Sequence, residues 1–378
     1  MGNALIADPK KQKNMSKILV ISDYANIVSA RPEAEIFISL HQKGWDLLLM
    51  VPEESPWIPR FKEVGIPLEI YKPDGRKSPN EIAHIRKVLD EHQIPLMILF
   101  NNRAVINGIQ AAKNHPVKVV VYRGTVGNVY WYDPTSYLKV LHPRVDYLLC
   151  LQEGVQAHLN KQLIFSKKKT FLMRKGHKPE WYENVIARER ESFQIPQDAF
   201  LISYVGNVRR FKGVKYLLAA THQLAKEKNI HLMLIGNGFD KDPFKRMIED
   251  SPMKDRIHVL GYQKEALSFV AAADLAVLPS LRTEALTKAV QEAMHLGICP
   301  VITDIAGNQG LVKDGLSGRV VPIKDSNALA SALLDCYNNP EKTKEMGMQA
   351  KKHIQTWLTH EKTVEMAETA FRQMLEDK

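Results

Sequence analysis

The sequence predicts an α/β protein built from two parallel, helix-covered sheets. Three observations carry this. Apolar runs of strand length recur through the 378 residues, separated by stretches with helical periodicity. The series breaks at a charged region holding Gly176, Pro179 and Pro196, and then starts again. Strands that alternate with helices pack as parallel sheets covered on both faces. Two Rossmann-like domains facing across a cleft is the simplest architecture that satisfies all three.

In the first half, residues 17–22 read as a buried first strand, and apolar runs follow at 46–51, 96–100, 117–122 and 147–151. Ile82, Ile85, Val88 and Leu89 mark one face of an intervening helix. Residues 174–198 interrupt the pattern, with 181–198 as the linker proper. The second series has strands near 200–205, 230–235, 257–260, 275–279, 300–303 and 319–322. A helix from Val214 places Leu217, Leu218, Thr221 and Leu224 on one face. Another, closed by Gly297, is marked by Leu286, Ala289, Val290 and Ala293. A last helix, from about His360 to Leu375, has no strand after it and is expected to return to the first domain. The predicted limits are a flexible basic tail at 1–15, a first domain at 16–180, the linker, a second domain at 199–356 and a C-terminal helix at 357–378.

Composition excludes several classes. Hydrophobic content of 45% and charged content of 25% are those of an ordinary soluble globular chain. No apolar run approaches the roughly 18 residues of a membrane-spanning helix. The first residues do not read as a signal peptide, and Ile6 stands where myristoylation of Gly2 would call for Ser or Thr. Cys150, Cys299 and Cys336 have no metal or redox spacing. Buried thiols suit a reducing compartment, so a cytoplasmic location is expected. The net charge is +10, and residues 1–190 hold 28 Lys+Arg against 19 Asp+Glu. This excess includes Lys10, Lys11, Lys13 and Lys17, then Lys167, Lys168, Lys169, Arg174, Lys175 and Lys178. Such a surface attracts anionic lipid or phosphorylated acceptors, or is a solvated face. No nucleic-acid-binding motif accompanies it, so nucleic acid is not an expected partner. No strand–GxGxxG–helix supports a dinucleotide oxidoreductase.

The candidate site residues gather at strand ends of the second half. After the strand ending at Val205 come Gly206, Asn207, Val208, Arg209, Arg210, Phe211, Lys212 and Gly213, and then a helix. Cations beside a helix N-terminus suit a phosphate or diphosphate. Gly236 and Gly238 follow the next strand and permit positive φ and close backbone approach. Asp240-Lys241-Asp242 spells DxD, but Asp242 before Pro243 reads as a helix N-cap, and no metal is expected there. The segment Pro279–Met294 carries Glu284 and Glu292, eight positions apart. On a continuous helix they would lie roughly 12 Å apart along the axis, enough to hold two ends of one extended polar ligand. Tyr130-Trp131-Tyr132 and His142-Pro143-Arg144 are candidates for acceptor contact, or simply for packing.

In chain order GNVRRFKG, LIGNG, VLGY, PSLRTEALTKAVQEAMHLG and PVITD-AGNQG resemble the nucleotide-sugar-binding domain of retaining GT-B glycosyltransferases of group 1 (family 4). The resemblance covers about residues 200–355, and the first half only in layout. It implies that Glu284 contacts the donor sugar, that Glu292 holds the ribose, and that Lys212 neutralises the diphosphate; the family's arginine there is matched by Arg209, with Arg210 as the alternative. Gly206, Arg210, Gly236, Leu286 and Thr287 would surround the nucleotide. Arg123, in Tyr122-Arg123-Gly124-Thr125, occupies the position of a common family His. It can donate to sugar or phosphate oxygens but cannot act as a base; a structural ion pair is the alternative. The family's glycine pair after the first strand is missing from Asp23–Glu35. The implied function is retaining transfer of a sugar from a nucleotide-sugar, the donor being a substrate, with no cofactor required. The acceptor would be a glycan or lipid-linked molecule of cell-surface polysaccharide or lipopolysaccharide biosynthesis, at the inner membrane face. The alternative is a non-catalytic nucleotide- or glycan-binding partner of the same fold.

Overall fold

A computed structural model describes residues 16–164, 167–282, 284 and 286–377. The predicted tail at 1–15 lies outside the described residues. The first domain runs β1 (Ile18–Ile21), α1 (Ile27–Gln42), β2 (Leu47–Pro52), α2 (Ile58–Glu63), β3 (Leu68–Tyr71), α3 (Pro79–Glu91), β4 (Leu96–Leu99), α4 (Asn102–Ala111), β5 (Lys118–Arg123), β6 (Tyr147–Cys150), α5 (Glu153–Gln162) and β7 (Lys169–Leu172). The second runs β8 (Phe200–Val205), α6 (Val214–Leu224), β9 (Ile230–Ile235), α7 (Phe244–Glu249), β10 (Ile257–Gly261), α8 (Ala266–Ala271), β11 (Leu275–Leu278), α9 (Lys288–Leu296), β12 (Cys299–Thr303), β13 (Arg319–Val321), α10 (Ser326–Asn338) and α11 (Pro340–Trp357). α12 (His360–Glu376) follows.

Both sheets are wholly parallel, in the orders β3-β2-β1-β4-β5-β6-β7 and β10-β9-β8-β11-β12-β13. Each reverses direction once, between β1 and β4 and between β8 and β11. At such switch points the loops part and leave a crevice beyond the carboxyl ends of the strands. The central strands are fully buried, as their unbroken apolar runs require. The edge strands β3 and β7 were not foreseen. Leu68-Glu69-Ile70-Tyr71 and Lys169-Thr170-Phe171-Leu172 are short, partly exposed and mixed in polarity, so their apolar signal is weak.

Three further expectations are corrected. α9 starts at Lys288, and Leu286 lies before it at φ 46°, so Glu284 is on a loop and the helical 12 Å spacing does not apply. α7 starts at Phe244 with Pro243 itself as N-cap. The first-turn donors of Phe244 and Lys245 go to the Lys241 carbonyl at 3.0 Å each, and Asp242 instead meets Arg246 at 3.5 Å. Much of the mid-chain basic run is not a free surface. Lys175 pairs with Glu33 at 2.7 Å and Lys178 with Glu35 at 2.6 Å, both acids being buried on α1, and Arg174 pairs with Glu153 and lies over Trp357. Cys299 and Cys336, distant in sequence, meet as hydrogen-bonded buried thiols.

α12 returns to the first domain. Thr359 caps it by accepting from the Lys362 N–H, and Val364, Ala367, Phe371 and Met374 form its buried face. Phe371 meets Trp45 edge-on at 5.9 Å, and burial of such a ring contributes roughly 2–3 kcal/mol. Glu368 accepts from Trp45 Nε1 at 3.0 Å and from Lys43 at 2.5 Å. On its way back the chain pairs His177 with Thr359. A side chain at Gly176 would run into the Thr359 carbonyl, so this crossing requires glycine.

Aromatic rings close the junction around that crossing. Tyr182 stacks on His295 at 4.5 Å and 9°, and its hydroxyl meets His177 Nδ1 at 2.6 Å. His360 Nε2 meets Ser39 Oγ at 2.8 Å. Burial, with Lys351 near His295 and Lys178 near His360, holds both imidazoles at about 4, against 6.5 for a free imidazole. The unfolded chain therefore takes up protons that the fold refuses. Stability is complete above pH 6.5 and declines as pH falls toward 4, by about 2 kcal/mol per histidine at pH 5. His295→Phe keeps the stack and removes one proton site. Its melting temperature should fall less between about pH 7 and pH 5 than that of the unaltered chain. Parallel slopes in a calorimetric pH series would refute the assignment.

Candidate functional site

The carboxyl ends of the two sheets face each other across a cavity of about 690 Å³. The first domain supplies Asn26, Ser29 and Arg31 from the start of α1. The junction supplies Trp181 and Tyr182. The second domain supplies Gly206, Gly236, Tyr262, Lys288 and Glu292. Three turns stack at the ends of β8, β9 and β10: the Gly206 N–H donates to Ile235 O, and the Gly236 N–H to Gly261 O, each at 2.8 Å. Asn207 Oδ1 accepts from the Asn237 N–H at 2.9 Å, locking the first two turns together. Gly236 and Gly238 have φ of 138° and 100°, as their role in close-packed turns requires.

The second group lies at the switch point itself. Gly213 takes φ 67° at the N-cap of α6, and any side chain there would collide with the Pro279 carbonyl. The Leu281 N–H donates to Phe211 O at 2.7 Å, so the loops after β8 and β11 are joined. That contact brings Lys212 Nζ to 2.6 Å from Glu284 Oε1, with both side chains largely buried. Thr287 Oγ1 donates to Glu284 Oε2 at 3.3 Å. One turn into α9, Lys288 pairs with Glu292. Each of the two acids thus has its own lysine. The Lys288 pair was legible as an i, i+4 contact; the Lys212 pair spans two loops and was not.

The remaining predicted residues are distributed differently. Arg209 and Arg210 are exposed on the loop between β8 and α6. Leu286 is buried; its N–H donates to Gly307 O at 3.1 Å and its carbonyl accepts from Gln291 at 2.6 Å. Arg123 is partly buried at the end of β5, outside the cavity wall. Burial lowers its pKa, and its Nη2 donates to Val126 O at 3.4 Å. Among the described residues no carboxylate pairs with it, so the ion-pair alternative is not what holds it. Trp131 and Tyr132 do not line the cavity, and the Trp131 N–H bonds to Gln162 at the far end of α5. Among the described residues no group of three His, Cys, Asp or Glu side chains is placed to hold a metal ion. No helix among them is long and apolar enough to cross a membrane.

The sequence reading missed Asn26, Ser29, Arg31, Trp181, Tyr182 and Tyr262 as cavity residues. Asn26 carried a signal. Its side chain caps α1, accepting from the Val28 and Ser29 N–H groups, and that cap aims the start of the helix at the cleft. Tyr24, in the loop lacking glycine, adopts φ 41° while buried, so a left-handed residue is present there without glycine.

Comparison with known proteins bears on the second half above all. Residues 185–353 match the family of glycosyl transferases group 1. This part of the chain is similar to a group 1 glycosyl transferase domain. The chain is 22% identical over 197 residues to N-acetyl-alpha-D-glucosaminyl L-malate synthase of Bacillus anthracis, covering 52% of this chain and 51% of that protein. It is 29% identical over 149 residues to the lipopolysaccharide core biosynthesis glycosyltransferase LpsE of Rhizobium meliloti, covering 39% and 43%. The chain spans about half the length of the curated relatives it matches. The structure resembles Anabaena HepE, solved in complex with UDP, with a TM-score of 0.77 at 16% identity over 95% of this chain and 100% of that one; HepE has also been solved with UDP-glucose. The matched region is therefore one half of a two-domain GT-B fold.

Gly213→Ala tests the switch-point contact. It should lower stability by about 1–3 kcal/mol in chemical denaturation. An unchanged midpoint would mean that the two loops separate without cost.

Proposed function

We propose that this protein is a retaining glycosyltransferase that takes its sugar from a nucleotide-sugar. The observation that carries this reading is the pair of lysine-matched carboxylates, Glu284 with Lys212 and Glu292 with Lys288, at the carboxyl ends of a group 1 domain. The Glu292–Lys288 pair lines a cavity with room for a nucleotide-sized ligand, and the Glu284–Lys212 pair lies at the switch point, outside that lining. Donor binding would exchange these partners. Lys212 turns to the diphosphate, joined by exposed Arg209 and Arg210, and Glu284 accepts from sugar hydroxyls. Glu292, on the cavity wall, accepts from the ribose. HepE supports a nucleotide-sugar donor through its complexes with UDP and UDP-glucose.

The chemistry follows from charge. As the bond from C1 to the phosphate oxygen breaks, negative charge develops on the diphosphate, where Lys212, Arg209 and the start of α6 supply positive charge. Front-side attack lets the leaving phosphate accept the acceptor's proton, so no protein base is needed and the anomeric configuration is retained. Neither carboxylate serves as a general base. No metal or other cofactor enters the reaction. Arg123 reaches an oxygen of the donor or acceptor only after its side chain swings toward the cleft. The acceptor is a glycan or lipid-linked molecule of surface polysaccharide assembly, a reading favoured by relatives such as LpsE. The protein works in the cytoplasm, at the inner face of the membrane.

A thermal-shift screen of UDP-, GDP-, ADP- and CMP-sugars identifies the donor, and the anomeric configuration of the product tests retention; an inverted centre would exclude it. Lys212→Ala should lower kcat about 10²–10³-fold. Glu292→Gln should raise donor KM about tenfold with a smaller change in kcat. Unchanged turnover and donor affinity in both variants would overturn the proposal.

A further inference from the structure

Away from the cleft, the first domain bears a surface that the site does not explain. The loop after β5 and the end of α5 meet there. The Trp131 N–H donates to Gln162 Oε1 at 3.2 Å, and Tyr137 OH donates to the Trp131 carbonyl at 2.9 Å, joining the two segments. On this surface Tyr132 is 65% exposed, Leu138 63%, Ile164 57% and Trp131 44%. The rings are held in set attitudes: Tyr132 stacks on Tyr130 at 5.2 Å, and Trp131 meets Tyr132 edge-on at 5.8 Å. So many large apolar side chains on one exposed face mark an interaction surface.

The charges beside them are mostly positive. Lys161, Lys167 and Lys169 are exposed, and Lys139 is half-buried. The nearby acids are engaged: Asp133 accepts from Thr135, Asp146 pairs with Arg144 at 2.7 Å, and Asp377 pairs with Lys169 at 2.7 Å. Among the described residues no carboxylate pairs with Lys139, Lys161 or Lys167. Protein–protein interfaces enrich aromatic residues but deplete lysine. Aromatic and aliphatic anchors ringed by lysines suit the headgroup layer of an anionic bilayer, where rings sit at the apolar boundary and ammonium groups reach lipid phosphates.

We propose that this surface docks the protein on an anionic lipid bilayer, with Trp131, Tyr132, Leu138 and Ile164 entering the headgroup layer and Lys139, Lys161 and Lys167 contacting lipid phosphates. It rests on the membrane location given above and is independent of the transfer reaction. The full chain is sedimented with vesicles of phosphatidylcholine alone and with vesicles of equimolar phosphatidylcholine and phosphatidylglycerol. It should pellet with the mixed vesicles, and added salt should weaken binding. Trp131→Ser/Tyr132→Ser/Leu138→Ser should bind about tenfold more weakly, and Lys139→Gln/Lys161→Gln/Lys167→Gln should lose its preference for the mixed vesicles. Both variants should keep the parent melting temperature and donor hydrolysis. The proposal falls if the parent stays in solution with both vesicles, or if the variants pellet as the parent does. It also falls if the parent is a dimer that the apolar variant dissociates, with no lipid binding, since the surface then belongs to a second copy. Lipid binding without sugar transfer would overturn the transferase reading alone.

Discussion

The stack of Tyr182 on His295 is the contact on which the cleft depends. Tyr182 belongs to the segment joining the domains, and His295 to α9, the helix that carries Glu292 three residues earlier. Burying these rings fixes the linker against the second domain. The His177–Thr359 crossing at Gly176 fixes the returning chain against the linker, and α12 continues that path onto the first domain. Both walls of the cavity are therefore referred to one packed junction. Interfaces of this kind permit domain motion unless they are large and apolar. Here the rings are buried, and burial lowers the pKa of both histidines.

Charge is organised on the same principle of pairing under partial burial. Glu33 and Glu35 lie on the buried face of α1, where an unpaired carboxylate would be costly, and Lys175 and Lys178 of the interdomain segment neutralise them. The same logic holds at the site, where Glu284 and Glu292 each meet a lysine. The difference lies in exposure to the cleft. The α1 pairs tie the segment leading out of the first domain to α1, whereas the Lys288–Glu292 pair lines the cavity and the Lys212–Glu284 pair lies at the switch point. Arg209 and Arg210 remain exposed on the loop between β8 and α6.

Legibility followed the range of the interaction. The buried parallel strands were readable because both faces are covered and the apolar run is unbroken. The edge strands β3 and β7 were not, since half of each faces outward. The helix before Gly297 was recognised, but its start was placed too early: Leu286 continues the apolar period and yet serves the loop, buried against Gly307. Tyr24 shows the reverse case, a left-handed backbone without the glycine that would announce it. The cavity residues Trp181 and Tyr182 came from a stretch readable only as a linker, because their burial depends on α9 and α12.

Local features of the chain carried the two-sheet architecture, the glycine turns at the ends of β8 and β9, and the two acids of the Pro279–Met294 segment. These follow from periodicity, φ preferences and residue chemistry, which act within a few positions. Folding alone settled that Lys212 meets Glu284, that Gly213 must yield to the Pro279 carbonyl, that Arg123 lies partly buried outside the cavity wall, and that Lys175 and Lys178 of the basic run are tied to α1. Each of these depends on segments brought together from distant parts of the chain, and burial in that setting decides whether a charge is structural or is left facing the cleft.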